Sequence, residues 1–364
     1  MTEIVSVLHG LADNTQNSYF DALVLTGYQS PTGNIRGPYS QVDPLPSGLG
    51  LGAGCGNFYS AGVFDGDEVG TNTSRLLKRG TIYGATQVAS GTPADLDPAL
   101  VKEYVDGSSR YNQADLCPSA GVTVPDAGAG YTWHKAPRYP NTGTADCVKE
   151  VGPLARMWVE GDYRYGNTAV TMTNHAYSTA NGGPLPALGT LGVQYNQGLS
   201  LLDRHRARAQ EAKKIAIAYD TWLTSLNSNL TGSRFTRRSM PTGTVYGLGL
   251  TEAPRGSVLH WAKIVNGKVD NYQIIAPTTW NCSSRDTAGN PGPVEHALIG
   301  TNVPLGLVPL RGVKSPNTAS GLNIPVEALL VIHSFDPCIA CSVHMVDPKN
   351  DIKRLVYQEG GVTR

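Results

Sequence analysis

Asn266-Gly267 sits between Val258-Leu259-His260-Trp261-Ala262-Lys263-Ile264-Val265 and Lys268-Val269-Asp270-Asn271-Tyr272-Gln273-Ile274-Ile275, and no other short stretch constrains this chain as much. Both central residues of a type I′ turn need positive φ, which asparagine and glycine adopt at little cost. The flanking runs alternate apolar and polar residues, the period of a strand. The pattern predicts an antiparallel hairpin over residues 256–276.

The remainder is punctuated by 42 glycines and 24 prolines among 364 residues, which favours turns and irregular connections over a regular repeat. That length suffices for one large domain or two smaller ones with a packed core. Lysine plus arginine number 29 and aspartate plus glutamate 29, so the formal charge is zero. A neutral chain carries no basic footprint, which argues against nucleic acid as a partner. No apolar run reaches the roughly 18 residues of a membrane span. Met1-Thr2-Glu3-Ile4-Val5 lacks the basic and apolar regions of a secretory signal, although a partner can supply an address of its own.

Outside the hairpin, the clearest element is a helix over 201–226, where Leu202, Ala207, Ala209, Ala212, Ile215, Ala216, Ala218, Trp222 and Leu223 recur at helical spacing. Arg204, Arg206, Arg208, Lys213 and Lys214 fall between them and read as a solvated face or a contact with a partner subunit, in preference to a phosphate site. Leu76–Gly84 suggests one or two short strands, and Asp97 caps a short helix running through Leu100 to Val105. Residues 107–149 read as polar and irregular. Val326–His333 reads as a short buried helix. Ser47–Gly56 is glycine-rich like a nucleotide loop, yet no strand precedes it and no amphipathic helix follows, so close packing or a turn is the better reading.

Six cysteines stand at 55, 117, 147, 282, 338 and 341, and only the last two are close together. That distribution suits one local metal or redox site better than a disulfide framework. The pair lies in Asp336-Pro337-Cys338-Ile339-Ala340-Cys341-Ser342-Val343-His344. Asp336 is a good N-cap and Pro337 suits the first helical position, which predicts Cys338 in the first turn of a helix, with Cys341 one turn on. The positive helix end there favours thiolate. Two soft thiolates select zinc, nickel, copper(I) or iron, and His344 lies a further turn along. A zinc site lacking an evident fourth ligand, a redox dithiol and a mere pair of buried cysteines all remain open on these residues alone. Cys117, Cys147, Cys282, His175, His260 and His296 read as structural, and Cys55 stands alone.

Asp336-Pro337-Cys338-x-x-Cys341-x-x-His344 resembles the C-terminal signature of nickel-iron hydrogenase large subunits. Further stretches agree in order: Tyr131-Thr132-Trp133-His134-Lys135-Ala136-Pro137-Arg138-Tyr139, Glu150-Val151-Gly152-Pro153-Leu154-Ala155-Arg156-Met157, Thr251-Glu252-Ala253-Pro254-Arg255-Gly256, Pro277-Thr278-Thr279-Trp280-Asn281, Arg285-Asp286, and Gly292-Pro293-Val294-Glu295 with Ala297-Leu298-Ile299-Gly300-Thr301. The resemblance covers most of 50–344. It implies a mixed, mainly α fold with irregular loops and small antiparallel hairpins, similar to a truncated hydrogenase large subunit.

The resemblance also implies roles. Cys338 would be a terminal nickel ligand and Cys341 would bridge nickel to iron, while His344 would bind a separate magnesium or iron ion with the backbone carbonyl of Ile274. Arg255 would lie over the open face of the metal pair, with Asp336 near enough to pair with it. Ala253, Pro254, Ala276, Pro277 and Thr278 would line the pocket around iron's cyanide and carbon monoxide ligands, with Thr278 donating to a cyanide. The activity implied is heterolytic oxidation of H2 or reduction of protons, for which Cys338 and Arg255 are the candidate bases. Arginine is normally too strongly protonated for that task, and orienting substrate or tuning the field are its alternative roles. The implied partners are an iron–sulfur small subunit, a maturation protease and nickel-insertion factors. The implied location is membrane-associated or periplasmic through the small subunit, with the cytoplasm as the alternative.

Two departures from the family pattern carry expectations of their own. The family's Arg-x-Cys-Gly-x-Cys-x-x-x-His segment does not occur in these residues, which suggests a C-terminal portion inactive on its own. Residues 345–364 follow His344, where the family carries a cleavable extension. A non-catalytic remnant or scaffold, and a structural zinc-binding domain, are the competing functions.

Overall fold

The computed structural model describes residues 52–64, 75–83, 96–105, 107–108, 116–121, 131–132, 134–140, 146–160, 199, 201–232, 239, 242–301, 307–309 and 323–338. The first strands are short. β1 (Phe58–Ser60) pairs antiparallel with β2 (Gly80–Ile82), so a strand does form within 76–84. Asp97 does cap a helix, its carboxylate accepting from the Ala99 amide at 3.0 Å, but only one 3-10 turn follows, Pro98–Leu100. The helix expected through Val105 is instead β3 (Lys102–Tyr104), paired with β4 (Ala136–Pro140), which pairs in turn with β5 (Asp146–Cys147). Residues 107–149 are therefore not uniformly irregular. The strand prevails because it buries Glu103 against Lys135, a tertiary pairing that local propensity does not register.

Two helices follow. α1 (Pro153–Glu160) has proline at its first position and buries almost its whole surface, including Leu154, Met157, Trp158 and Arg156. Trp158 stacks on Phe58 at 5.4 Å between ring centroids. α2 (Leu201–Ser228) agrees with the sequence pattern. Its first half packs on α1, whereas Tyr219, Leu223 and Leu226 near its end are exposed.

The Asn266-Gly267 turn forms as expected, with φ of +50° and +75°. It joins two strands of a larger sheet: β6 (Thr244–Ala253), β7 (Gly256–Val265) and β8 (Lys268–Ile275), in that order and antiparallel throughout. Leu259, Trp261 and Ile275 turn one face into a cluster with Tyr59, Tyr139 and Trp280. The chain then runs through α3 (Pro277–Asn281), α4 (Pro293–Leu298), the pair β9 (Leu307–Pro309) and β10 (Asn323–Pro325), and α5 (Val326–Ser334). That last helix is the one expected at 326–333. Among the described residues helix and strand are about equally represented, so the expectation of a mainly α chain is not what they display. None of their helices is long and apolar enough to cross a membrane.

The glycine-rich run is used for packing where it is described. A side chain at Gly54 would collide with the Glu150 carboxylate, which is bound to Arg204. Residues 47–51 of that run lie outside the described residues.

Candidate functional site

Three segments distant in sequence meet at one place: the β6–β7 turn, the junction between β8 and α3, and the chain leaving α5. Pro254 and Arg255 are the two central residues of the first, between paired Ala253 and Gly256. Proline at the second position with no positive φ at Arg255 makes a type I-like turn, whose twist suits a two-residue hairpin poorly. Gly256 takes up the mismatch at φ +139°, and a Cβ there would lie 2.5 Å from Val151.

Arg255 reaches the third segment. Its Nε donates to the Asp336 carbonyl at 2.8 Å and a terminal nitrogen donates to the Asp336 carboxylate at 3.3 Å. Both side chains remain about two-fifths exposed (39% and 42%), so their outer faces are open to a ligand. Asp336 closes a helix here and does not open one. Its amide bonds to the His333 carbonyl at 2.9 Å, its φ is +49°, and Pro337 cannot continue α5. The expectation that Asp336 caps a helix with Cys338 in its first turn is thus overturned, since residues 336–338 are not helical; Cys341, expected one turn on, lies outside the described residues. Asp-Pro serves equally well as a helix start and a helix stop, and the end of α5 at Ser334 decides between them.

The second segment fixes Cys338 from below. The Cys338 amide donates to the Thr278 hydroxyl at 3.0 Å, and Thr278 is buried in α3, where Ala276 is the N-cap and Pro277 the first residue. Acting as acceptor, the hydroxyl keeps its own proton for a further partner. Cys338 itself is half of a disulfide, whereas Cys55, Cys117, Cys147 and Cys282 are free thiols. Its partner lies outside the described residues. In its reduced form the Cys338 sulfur is a soft thiolate donor of the kind that nickel or iron takes. Cys341 and His344 also fall outside the described residues, and Ile274 stands in β8 opposite His260. Among the described residues no three His, Cys, Asp or Glu gather as a metal site.

Arginines missed as functional in the sequence hold these segments in place. Arg156 is fully buried and donates to both oxygens of Glu211 at 2.6 and 2.7 Å, to Glu252, and to the carbonyls of Ala253 and Pro254 at 3.1 and 3.0 Å. Burial opposes its charge, but Glu211 and Glu252 outweigh that and push its pKa above the usual value. Arg204 grips Glu150 with two bonds of 2.7 and 3.0 Å and donates to Ser334 at 3.3 Å, while Arg208 donates to the Ser334 carbonyl at 3.1 Å. The solvated face expected for these two is therefore wrong: both serve the carbonyl end of α5. His205 between them has its pKa lowered to about 4, first by burial and then by Arg208 and Arg204. Burial raises the pKa of Cys282, one of the thiols read as structural, to about 11, and that of Cys55 likewise. His175 lies outside the described residues.

Residues 45–344 match the family described as nickel-dependent hydrogenase. The chain belongs to that family. It is 32% identical over 309 residues to the periplasmic [NiFeSe] hydrogenase large subunit of Desulfomicrobium baculatum, a match covering 84% of this chain and 52% of the relative. It is 32% identical over 339 residues to the hydrogenase-1 large chain of Escherichia coli, covering 86% and 51%. The crystal structure of a reduced, active Ni-Fe-Se hydrogenase from Desulfomicrobium baculatum superposes with a TM-score of 0.64 at 29% identity, over 94% of this chain and 59% of that one. The chain spans about half the length of the curated hydrogenase relatives it matches.

Proposed function

We propose that these residues form the part of a nickel-iron hydrogenase large subunit that closes its metal centre, serving the oxidation of H2 or the reduction of protons. The convergence of Arg255, Asp336, Thr278 and Cys338 within the family-matched residues carries this reading. When bound, a nickel–iron pair with cyanide and carbon monoxide on iron supplies the soft metal site at which dihydrogen is split heterolytically. Cys338 and Cys341 would hold it as thiolates, with the Cys338 sulfur as a candidate base for the proton. Arg255, held by Asp336, orients the substrate face. Thr278 would offer its hydroxyl proton to a cyanide, and Ala253, Pro254, Ala276 and Pro277 would wall the pocket against water. His344 and the Ile274 carbonyl would share a magnesium or iron ion.

In this reading the chain works with an iron–sulfur small subunit at the membrane or in the periplasm, after nickel-insertion factors load it and a maturation protease removes residues 345–364. By the same resemblance such a centre takes four thiolates, of which Cys338 and Cys341 would supply two, so these residues by themselves are expected to hold no complete centre. Metal analysis checks this: stoichiometric nickel plus iron in the isolated chain overturns it. In the loaded complex, Arg255→Lys is expected to lower hydrogen-dependent dye reduction by about 100-fold at unchanged nickel content. Full activity in that variant refutes the role of Arg255, and an inactive loaded wild type supports a scaffold instead.

A further inference from the structure

A guanidinium carries five N–H groups, and Arg156 uses all of them in one place. Nε and one terminal nitrogen take Glu211, and the remaining three donors take Glu252, the Ala253 carbonyl and the Pro254 carbonyl. Glu252 is anchored from its other side by the Ala61 amide at 2.6 Å and by Ser257. The two carbonyls belong to the residues immediately ahead of Arg255. From the opposite flank, a Cβ at Gly152 would lie 3.0 Å from the Arg255 carbonyl, and Gly152 is the residue whose carbonyl receives the Arg156 amide. The start of α1 thus frames the turn on two sides.

We propose that Arg156 is a positioning residue for the hydrogen chemistry, acting through Arg255. This rests on the functional reading above. A long side chain magnifies any rotation of its own backbone, and a tilt of about 10–20° at the turn displaces the Arg255 guanidinium by on the order of 1 Å, which breaks its 2.8 Å bond to Asp336. Glu211, on α2, sets Arg156 from behind, so the position of α2 is transmitted to the site. Lysine in place of Arg156 keeps a charge between the two carboxylates but loses the planar fork that reaches both carbonyls.

The test uses the loaded complex with its small subunit and three variants: Arg156→Lys, Arg255→Lys and the double substitution. Arg156→Lys is expected to reduce hydrogen-dependent dye reduction about tenfold, and to add nothing in the Arg255→Lys background. Multiplying effects in the double variant overturn the proposal, because they mean that Arg156 acts independently of Arg255. Glu211→Gln serves if Arg156→Lys fails to fold: a loss of about threefold, again absent beside Arg255→Lys, is expected, and a loss that persists there overturns the proposal. Hydrogen exchange of the metal-free chain reads the geometry without any activity. The amides of Arg255 and Gly256 should exchange faster in Arg156→Lys while Asn266 and Gly267 do not change, and unaltered exchange at 255–256 is a contrary result. A wild-type complex without hydrogen activity removes the functional reading, yet the exchange measurement still decides whether Arg156 holds the turn.

Discussion

The β6–β7–β8 sheet has two tight turns at opposite ends, and they are shaped by different physics. Asn266-Gly267 is specified by its own residues, each adopting the positive φ that the turn demands. Pro254-Arg255 is specified by its surroundings: Arg156 takes two of its carbonyls, Val151 and Gly152 press against Gly256, and Asp336 holds the side chain. The first turn could be lifted into another protein. The second exists only inside this one, where it aims Arg255 at Asp336. A turn used for structure alone can rely on local preference, whereas a turn that must aim a side chain needs partners from the rest of the fold.

Substitutions at the two turns should differ accordingly. Gly256→Ala is expected to cost most, about 4 kcal/mol by chemical unfolding, since alanine is strained at φ +139° and its Cβ would overlap Val151 and the Gly152 amide. Arg156→Met should follow at about 3 kcal/mol, because Glu211 and Glu252 are left buried without their cation. Lys149 sharpens the comparison from the other direction. It is buried over the Tyr83 ring at 3.5 Å with the Ile82 carbonyl as an acceptor at 3.4 Å, and burial lowers its pKa to about 7, against smaller opposing effects of Cys147 and Cys55. Between pH 10.5 and 7 the unfolded chain binds a proton that the folded chain does not, so stability falls as pH drops through that window and the loss is complete below it. Lys149→Met should therefore stabilise the fold by on the order of 2 kcal/mol at pH 6 and have no such effect above pH 10.5. An equal gain at both pH values shows that the charge is not the cause. Asn266→Ala should cost least, about 1 kcal/mol, with no effect on hydrogen exchange at 255–256.

Legibility in the sequence follows the same division. The Asn-Gly turn, the long helix at 201–228 and the helix ending at Ser334 were readable, because periodicity and turn chemistry are local signals. β6 was not: Gly247 and Gly249 interrupt its apolar residues, and its place is fixed by pairing with β7. Motif order singled out Arg255, Thr278 and Cys338, and the structure does bring them together. Arg204 resisted because an arginine between apolar helix positions reads as solvated, and its partner Glu150 lies 54 residues away. Cys338 was given a helix because Asp-Pro is ambiguous without the preceding residues' conformation. What escaped was the identity of distant partners.

Those distances bear on any attempt to imitate the site. Arg255 and Asp336 are 81 residues apart, Thr278 and the Cys338 amide 60, and Arg156 and the Pro254 carbonyl 98. Each contact closes a long loop whose entropy cost is met collectively by the packed chain. A synthetic peptide bearing the cysteine signature would carry the thiols but neither the Arg255 guanidinium bound to Asp336 nor the Thr278 hydroxyl bound to the Cys338 amide. The smallest unit able to reproduce the pocket includes α1, the first half of α2 and the whole three-stranded sheet.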